Sequence, residues 1–147
     1  MKAITPIITV ILSWMLFASS CHANQYVTPM NNTVQLIIGS SEFTVQLAEN
    51  ETATAFKALL PLTITMKEIN GNEKYYNMPK NLPSSSSVSG TVQSGDLMLW
   101  GSDCLALFYK KASTSYSYTK IGRITNASGL SEALGNGNAT VSFKQRK

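Results

Sequence analysis

Histidine and cysteine are scarce in this 147-residue chain, and their positions exclude several kinds of chemistry. The only histidine is His22, and the two cysteines are Cys21 and Cys104. His22 falls in a segment with the features of an export signal, so the processed chain has no histidine for general-base catalysis or metal binding. Ser-His-Asp and Cys-His catalytic systems are excluded on the same ground. Once Cys21 is removed or acylated, Cys104 has no partner for an internal disulfide.

The first 23 residues have the pattern of a signal peptide. Lys2 supplies a positive start, and a mostly apolar stretch and then small residues follow it. Cys21 and Ala23 occupy the −3 and −1 positions of a signal peptidase site, which predicts cleavage after Ala23. An alternative is a lipobox at 18–21, with Cys21 acylated and retained as an anchor. We favour simple cleavage, because Ala18 is a poor residue three places before a lipobox cysteine.

Both interpretations predict an exported protein, periplasmic or secreted, with no transmembrane segment in the mature chain. Residues 24–32 are a polar lead-in, and 33–147 are long enough for one domain with its own core. Without Lys2, eleven basic residues face eight acidic ones, a net charge of +3. This small surplus, without a basic stripe, predicts no nucleic-acid partner. We expect no cofactor and no bound metal.

Short alternating apolar segments separated by turn residues predict a mainly β fold. Strands are predicted, in order, at 33–38, 43–47, 62–69, 73–77, in the two arms of 95–109, at 120–124 and at 139–144. Short helices are predicted at 49–60, with Asn50 or Thr52 as N-cap, and at 128–134. Residues 84–87 and 112–117 are predicted to be polar loops. Seven or eight strands with two short helices are typical of a closed antiparallel β-barrel.

The order of several short motifs resembles the bacterial cyclophilin-like family, from Phe56 to Phe143. The matching pieces are Phe56-x-x-Leu59-Leu60-Pro61-Leu62-Thr63-Ile64-Thr65-Met66, Asn70-Gly71-Asn72-Glu73-Lys74-Tyr75, Leu82-Pro83, Gly95-Asp96-Leu97, Trp100, Leu107-Phe108-Tyr109 and Ile121-Gly122-Arg123-Ile124. The resemblance implies a closed antiparallel barrel capped by helices, like a shortened cyclophilin.

True cyclophilins are peptidyl-prolyl isomerases, in which an arginine beside an aromatic-lined pocket hydrogen-bonds the proline amide and eases C–N rotation. The arginine-bearing motif of those enzymes has no counterpart in this chain. Arg146 lies in the tail, and Arg123 matches a late strand whose basic residue is not catalytic. We therefore expect an exported binding module for an extended peptide or a small ligand. The alternative is a peptidyl-prolyl isomerase acting on exported proteins, so whether the chain is an enzyme stays open.

Two groups of residues are candidates for ligand binding at strand ends. Glu73 and Tyr75 follow a tight turn, where binding groups often lie; the alternative is an exposed turn acid with its aromatic neighbours in the core. Trp100 and Tyr109 are candidates to line a groove, although aromatic residues on such strands are more often core. Phe108 and Tyr109 point to opposite faces of a regular strand, so a single pocket takes at most one of them.

Two charged residues complete the candidate set. Asp96, directly after Gly95, is a ligand-binding candidate whose simpler role is to fix a turn with its side chain. Arg123 is predicted to pair with Glu73 or with Asp96 across the barrel mouth, and an ordinary surface ion pair explains it equally. Cys104 lies in an apolar run, which favours a buried structural thiol over a nucleophile.

Overall fold

A computed structural model describes residues 32–147 as nine strands and two short helices. In chain order these are β1 (Thr33–Ile38), β2 (Ser41–Leu47), α1 (Glu51–Ala58), β3 (Leu62–Ile69), β4 (Glu73–Asn77), β5 (Ser87–Val92), β6 (Asp96–Trp100), β7 (Cys104–Phe108), β8 (Ala112–Ile124), α2 (Leu130–Leu134) and β9 (Ala139–Gln145). The predicted signal peptide, the cleavage after Ala23 and the alternative acylation of Cys21 lie outside these residues. Across 32–147, no helix has both the length and the apolar character needed to span a membrane.

Eight strands form a closed antiparallel ring, which confirms the predicted mainly β fold class. The order around the ring is β2-β1-β9-β3-β4-β7-β6-β8, and β8 pairs back onto β2. The closing contact is short, with Leu47 opposite Gly122 and Val45 opposite Ile124. The ninth strand, β5, pairs with the first half of β8 outside the ring.

Alternate residues of the strands fill the interior of the ring, because successive side chains of a strand point to opposite faces. Eleven of the apolar residues among them have no solvent-accessible surface: Val34, Leu36, Val45, Met66, Leu97, Leu99, Leu105, Leu107, Ile121, Val141 and Phe143. Helix α1 adds Phe56, whose ring meets that of Phe143 edge to face at 5.2 Å. Of the two predicted N-caps, Asn50 has this role, since its Oδ1 accepts from the Ala53 amide at 2.8 Å.

A second, smaller apolar cluster lies outside the ring, between β6, β7 and the first half of β8. Its buried members are Val92, Met98, Ala106, Phe108 and Tyr118. The register of β6 against β8 shifts between Leu97 and Met98. This irregularity separates the half of β8 that closes the ring from the half that pairs with β5.

The prediction of a loop at 112–117 was wrong, because these residues form the first half of β8. Strand β5 was also missed, in a stretch of small and polar residues. Strand β5 and the first half of β8 pair with each other outside the ring, and both leave much of their length exposed, so polar residues are tolerated there. Neither segment shows the sustained alternation of apolar and polar residues that predicts a strand from sequence.

Closure of the ring depends on a close backbone approach at Gly122. A Cβ at this position would lie 2.6 Å from the Gln46 carbonyl oxygen. That oxygen belongs to the backbone of β2 and cannot move aside without disturbing the closing contact. Gly122 is therefore required where β8 meets β2.

We predict that Gly122→Ala lowers the free energy of unfolding by about 1–3 kcal/mol, as overpacking of a close contact does. Urea denaturation measures the change. Gly137→Ala is the matched control, because a Cβ there meets nothing within 4 Å. Equal stability of the two variants would contradict this account of ring closure.

Candidate functional site

The outer face of the ring carries a groove whose floor is made by β4 and β7. Glu73, Tyr75 and Asn77 alternate along β4 and line the groove. Cys104 and Ala106 of β7 lie opposite Asn77 and Tyr75 in the sheet register. The residues between them on β4 point inwards, as the complete burial of Lys74 shows.

The walls of this groove are aromatic. Tyr116 and Tyr118 come from the first half of β8, and Trp100 ends β6. The Trp100 and Tyr116 rings meet edge to face, with centroids 6.3 Å apart. Trp100 is 51% exposed and Tyr116 60% exposed, so a bound ligand would remove apolar ring surface from water.

The groove, hereafter the outer groove, has a volume of about 390 Å³. Volumes of roughly 300–1,000 Å³ are typical of small-ligand sites. Its lining residues are Ile69, Asn70, Glu73, Tyr75, Asn77, Trp100, Cys104, Ala106, Tyr116 and Tyr118. Glu73 is the one residue with a formal charge at neutral pH among them.

The Glu73 carboxylate is partly buried and incompletely satisfied. Its Oε2 is inaccessible to water and has no hydrogen-bond partner among the described residues. Burial, followed by the negative charge of Glu68, raises the pKa of Glu73 above its ordinary value of 4.5. Structures keep few such buried unsatisfied oxygens, so this one calls for an explanation.

The Cys104 thiol lines the same groove without the features of a nucleophile. It is half-buried, and burial, followed by the charges of Asp103 and Glu73, raises its pKa. A raised pKa keeps the sulfur as a neutral thiol, whereas nucleophilic cysteines need a lowered one. Burial also raises the pKa of the Tyr118 hydroxyl, and the charge of Glu73 adds to that shift.

Asp96 and Arg123 lie away from the outer groove and pair with each other. Arg123 Nε donates to Asp96 Oδ1 at 2.6 Å. The second oxygen of Asp96 accepts from the Gln93 amide at 2.8 Å, which fixes the turn before β6. Asp96 begins β6 and Trp100 ends it, which separates them by about 13 Å at ~3.3 Å per residue. Of the two partners predicted for Arg123, the structure thus shows Asp96. This ion pair lies at a turn and apart from the groove.

Tyr109 is buried in the interior, in contact with a charge that sequence analysis did not single out. Its hydroxyl donates to Glu68 Oε1 at 2.6 Å. Burial, followed by this hydrogen bond, raises the pKa of Tyr109 to about 12. Phe108 belongs to the outer cluster and Tyr109 to the inner core, which confirms that the two point to opposite faces.

Lys74 is completely buried and uses all three of its ammonium protons. Its Nζ donates to Glu68 Oε2 at 2.6 Å, to the Gly135 carbonyl at 2.7 Å and to the Gly137 carbonyl at 2.6 Å. Nζ also lies 5.1 Å from the centre of the Tyr109 ring. Burial alone would raise the pKa of Glu68, but the hydrogen bonds from Lys74 and Tyr109 outweigh it and lower that pKa.

Comparison with known proteins agrees with this architecture. A family model described as the cyclophilin-like family matches residues 36–144. The chain belongs to the cyclophilin-like family. Among solved structures, this cyclophilin-like chain is similar to a hypothetical protein from Archaeoglobus fulgidus determined in solution, with 23% identity and a TM-score of 0.59. The match covers 79% of this chain and 95% of that one and shows a shared fold; no curated protein has a significant sequence match.

The structure thus divides the six predicted site residues of the cyclophilin-like domain among three places. Glu73, Tyr75 and Trp100 line the outer groove, Asp96 and Arg123 pair at a turn, and Tyr109 lies in the interior. Ligand binding by the first three stays a prediction. Tyr116 and Tyr118, which complete the groove, were missed because Tyr116 lay in the predicted loop and Tyr118 between that loop and the strand predicted at 120–124. Their spacing of two residues was the available signal, since it places both on one face of a strand.

A second concavity of about 800 Å³ lies beside the first turn of α1. It is lined by small and polar residues, with no aromatic ring: Asn32, Ala48, Glu49, Asn50, Glu51, Thr54, Ala55 and Ala58. The outer groove is smaller but combines aromatic rings with an unpaired carboxylate. We therefore take the outer groove as the candidate site.

We predict that Lys74→Ala lowers the free energy of unfolding by about 3 kcal/mol or more. The substitution leaves the Glu68 carboxylate and the carbonyls of Gly135 and Gly137 without the hydrogen-bond donor they have in the wild type. Chemical denaturation measures this change. Lys67→Ala removes an exposed lysine from the neighbouring strand β3 and serves as the control. A loss as small as that of the control would show that the buried ammonium is not a structural requirement.

We predict that Glu73→Gln makes the protein more stable than the wild type at neutral pH. Because the folded protein raises the pKa of Glu73, ionisation of this carboxyl opposes folding. The free-energy cost that the ionised Glu73 imposes on folding of the wild type is absent below pH 4.5. It grows as the pH rises to the raised pKa of the folded protein and is constant above that pKa. Thermal unfolding across this pH range should show the two proteins converging at the acid end.

Glu42→Gln, at an exposed position of β2, is the control for loss of one negative charge. The difference in stability between Glu42→Gln and the wild type should not grow as the pH rises in the way expected for Glu73→Gln. A wild type that is more stable than Glu73→Gln at neutral pH would contradict the assignment of an unsatisfied carboxylate.

Proposed function

We propose that this cyclophilin-like domain is an exported binding module that holds an extended peptide segment or a small ligand in the outer groove. The observation that carries the proposal is the combination of half-exposed aromatic rings with one unpartnered carboxylate oxygen in a single concave site. Trp and Tyr side chains dominate the energetics of many binding sites. Burial of their exposed surface contributes about 25 cal/mol per Å² of apolar area.

The geometry of the groove suits a ligand that lies along the strands. Glu73 and Asn77 mark the two ends of β4, about 13 Å apart at ~3.3 Å per residue. The floor between them is regular sheet, paired with β7 from Glu73 to Asn77. Side chains held on paired strands need little reorganisation on binding, which lowers the entropy cost.

Export and location in the periplasm or outside the cell belong to the same proposal. They are supported by the first 23 residues, with their positive start, apolar stretch and small residues before Ala23. Retention of an acylated Cys21 is the alternative route to the same side of the membrane. Both place the groove where it meets extracytoplasmic ligands.

The isomerase alternative has no specific support in the groove. The chain has two arginines, Arg123 and Arg146, and both are among the described residues. Neither lines the outer groove. Arg123 pairs with Asp96, and Arg146 contacts Thr44 near the end of the chain. An arginine that polarises a proline amide is therefore not present at the site, and we propose binding alone.

A peptide array and a small-molecule fragment library probe the proposal with the purified protein. We expect reproducible ligands whose affinity falls at least about tenfold in Trp100→Ala, a loss of ~1.4 kcal/mol. Val88→Ala is the matched control, because Val88 is another exposed apolar side chain, on β5, and does not line the groove. Absence of any reproducible ligand, or equal affinity in all three proteins, would refute the proposal.

A further inference from the structure

The charge of the outer groove is opposite to that of the chain. The whole chain has a formal net charge of +4, yet the one charged residue lining the groove is Glu73. Lys67 lies near, opposite Tyr75 in the register of β3 and β4. It does not line the groove but an adjoining small cleft, which shares Tyr75 and Asn77 with it. Among the described residues, the two salt bridges found both leave Glu73 unpaired. Its carboxylate thus has neither a counterion nor a full set of hydrogen bonds.

The residues that line the groove indicate which kind of ligand group would bind beside Glu73. A partly desolvated carboxylate is stabilised by a cation within hydrogen-bonding reach. Two aromatic side chains of the groove lie close to Glu73. Tyr75 is two residues along β4, and the charge of Glu73 contributes to the raised pKa of Tyr118. Neutral aromatic rings also attract cations. The groove offers one carboxylate and the carboxamides of Asn70 and Asn77, which lie at its two ends. Ca²⁺ and Mg²⁺ need roughly six or more oxygen ligands around one point, so an organic cation is the better match.

The groove has two chemically different ends. Glu73 lies opposite Phe108 at one end of the β4–β7 pairing, and Asn77 lies opposite Cys104 at the other. Trp100 pairs with Cys104 and therefore belongs to the Asn77 end, where Tyr116 joins it. An anionic end and an apolar aromatic end are thus separated by about four strand residues, or ~13 Å.

We propose that the outer groove selects an extended peptide with a basic side chain that pairs with Glu73 and an apolar side chain about four residues away that packs on Trp100 and Tyr116. This inference rests on the proposed function and specifies its ligand. The ammonium of lysine or the guanidinium of arginine supplies the counterion that the Glu73 carboxylate lacks among the described residues. The apolar side chain covers the rings that are half exposed in the free protein.

The test uses three short synthetic peptides and isothermal titration calorimetry. The first has a lysine and a leucine separated by about three serines, to match the ~13 Å between the two ends of the groove. The second replaces lysine with norleucine, which keeps the chain length and removes the charge. The third keeps both side chains but makes them adjacent. On the wild type we expect the first peptide to bind at least about tenfold more tightly than either of the others.

Protein variants locate the preference. Glu73→Gln should bind the lysine and norleucine peptides with equal affinity, because the carboxylate that distinguishes them is gone. Glu42→Gln, which removes the same charge from an exposed site on β2, should keep the preference. Equal binding of the two peptides by the wild type would overturn the inference, and so would a preference that survives in Glu73→Gln.

Failure of this inference is distinguishable from failure of the proposed function. If the norleucine peptide binds as well as the lysine peptide and both are weakened by Trp100→Ala, the groove binds ligands but does not select a cation. If none of the peptides binds and the array and fragment library also give nothing, the proposed function itself is wrong.

Discussion

The buried ammonium group of Lys74 connects β3, β4 and the turn after α2 through hydrogen bonds. Lys74 reaches from β4 to Glu68 on β3 and to the two carbonyls of the turn after α2. Tyr109, just after β7, completes the arrangement through its hydrogen bond to Glu68. A buried charge is tolerated only when it is paired and its protons are all used, and here every proton of the ammonium has an acceptor. The β3–β4 hairpin, the residue after β7 and the turn after α2 are therefore fixed around one group.

The outer groove depends on this arrangement because Lys74 and Glu73 are neighbours on β4. Their side chains point to opposite faces of the sheet, one into the interior and the other into the groove. The inward ammonium is fully satisfied, whereas the outward carboxylate keeps an oxygen without a partner. Strand β4 thus holds the Glu73 carboxylate in a defined position. A group that is already in place loses little conformational entropy on binding, which favours selective binding.

Much of the ring was predictable from sequence, and the groove only in part. Alternating apolar residues placed β1 correctly, and a run rich in Thr and Ile placed β3. The turn signal Asn70-Gly71 then placed β4 as the returning strand. The alternation of side chains along a strand correctly assigned Phe108 and Tyr109 to opposite faces. Residues 112–118 were not predictable in this way, because this half of β8 lies outside the ring and buries too little apolar surface to leave a pattern.

The role of Lys74 was beyond the reach of sequence for a different reason. A lysine within a strand is most often exposed, and its partners lie 6, 61 and 63 residues away along the chain. Glu68 lies across the turn between β3 and β4, whereas only the tertiary fold brings the carbonyls of Gly135 and Gly137 to the ammonium. Asp96 and Arg123 illustrate the reverse case, in which a charged pair suggested a site and the structure shows a turn fixed by an ion pair.

The central claim is that ligands occupy the outer groove, and NMR titration of the isotopically labelled protein tests it most directly. The probe is the short peptide with lysine and leucine at the two ends, and the readout is the set of backbone amides that shift. The account predicts that the shifts concentrate in β4, in β7 and in the first half of β8, with the largest at Glu73 and Tyr116. Shifts confined to the concavity beside α1, or no shifts at all, would contradict it.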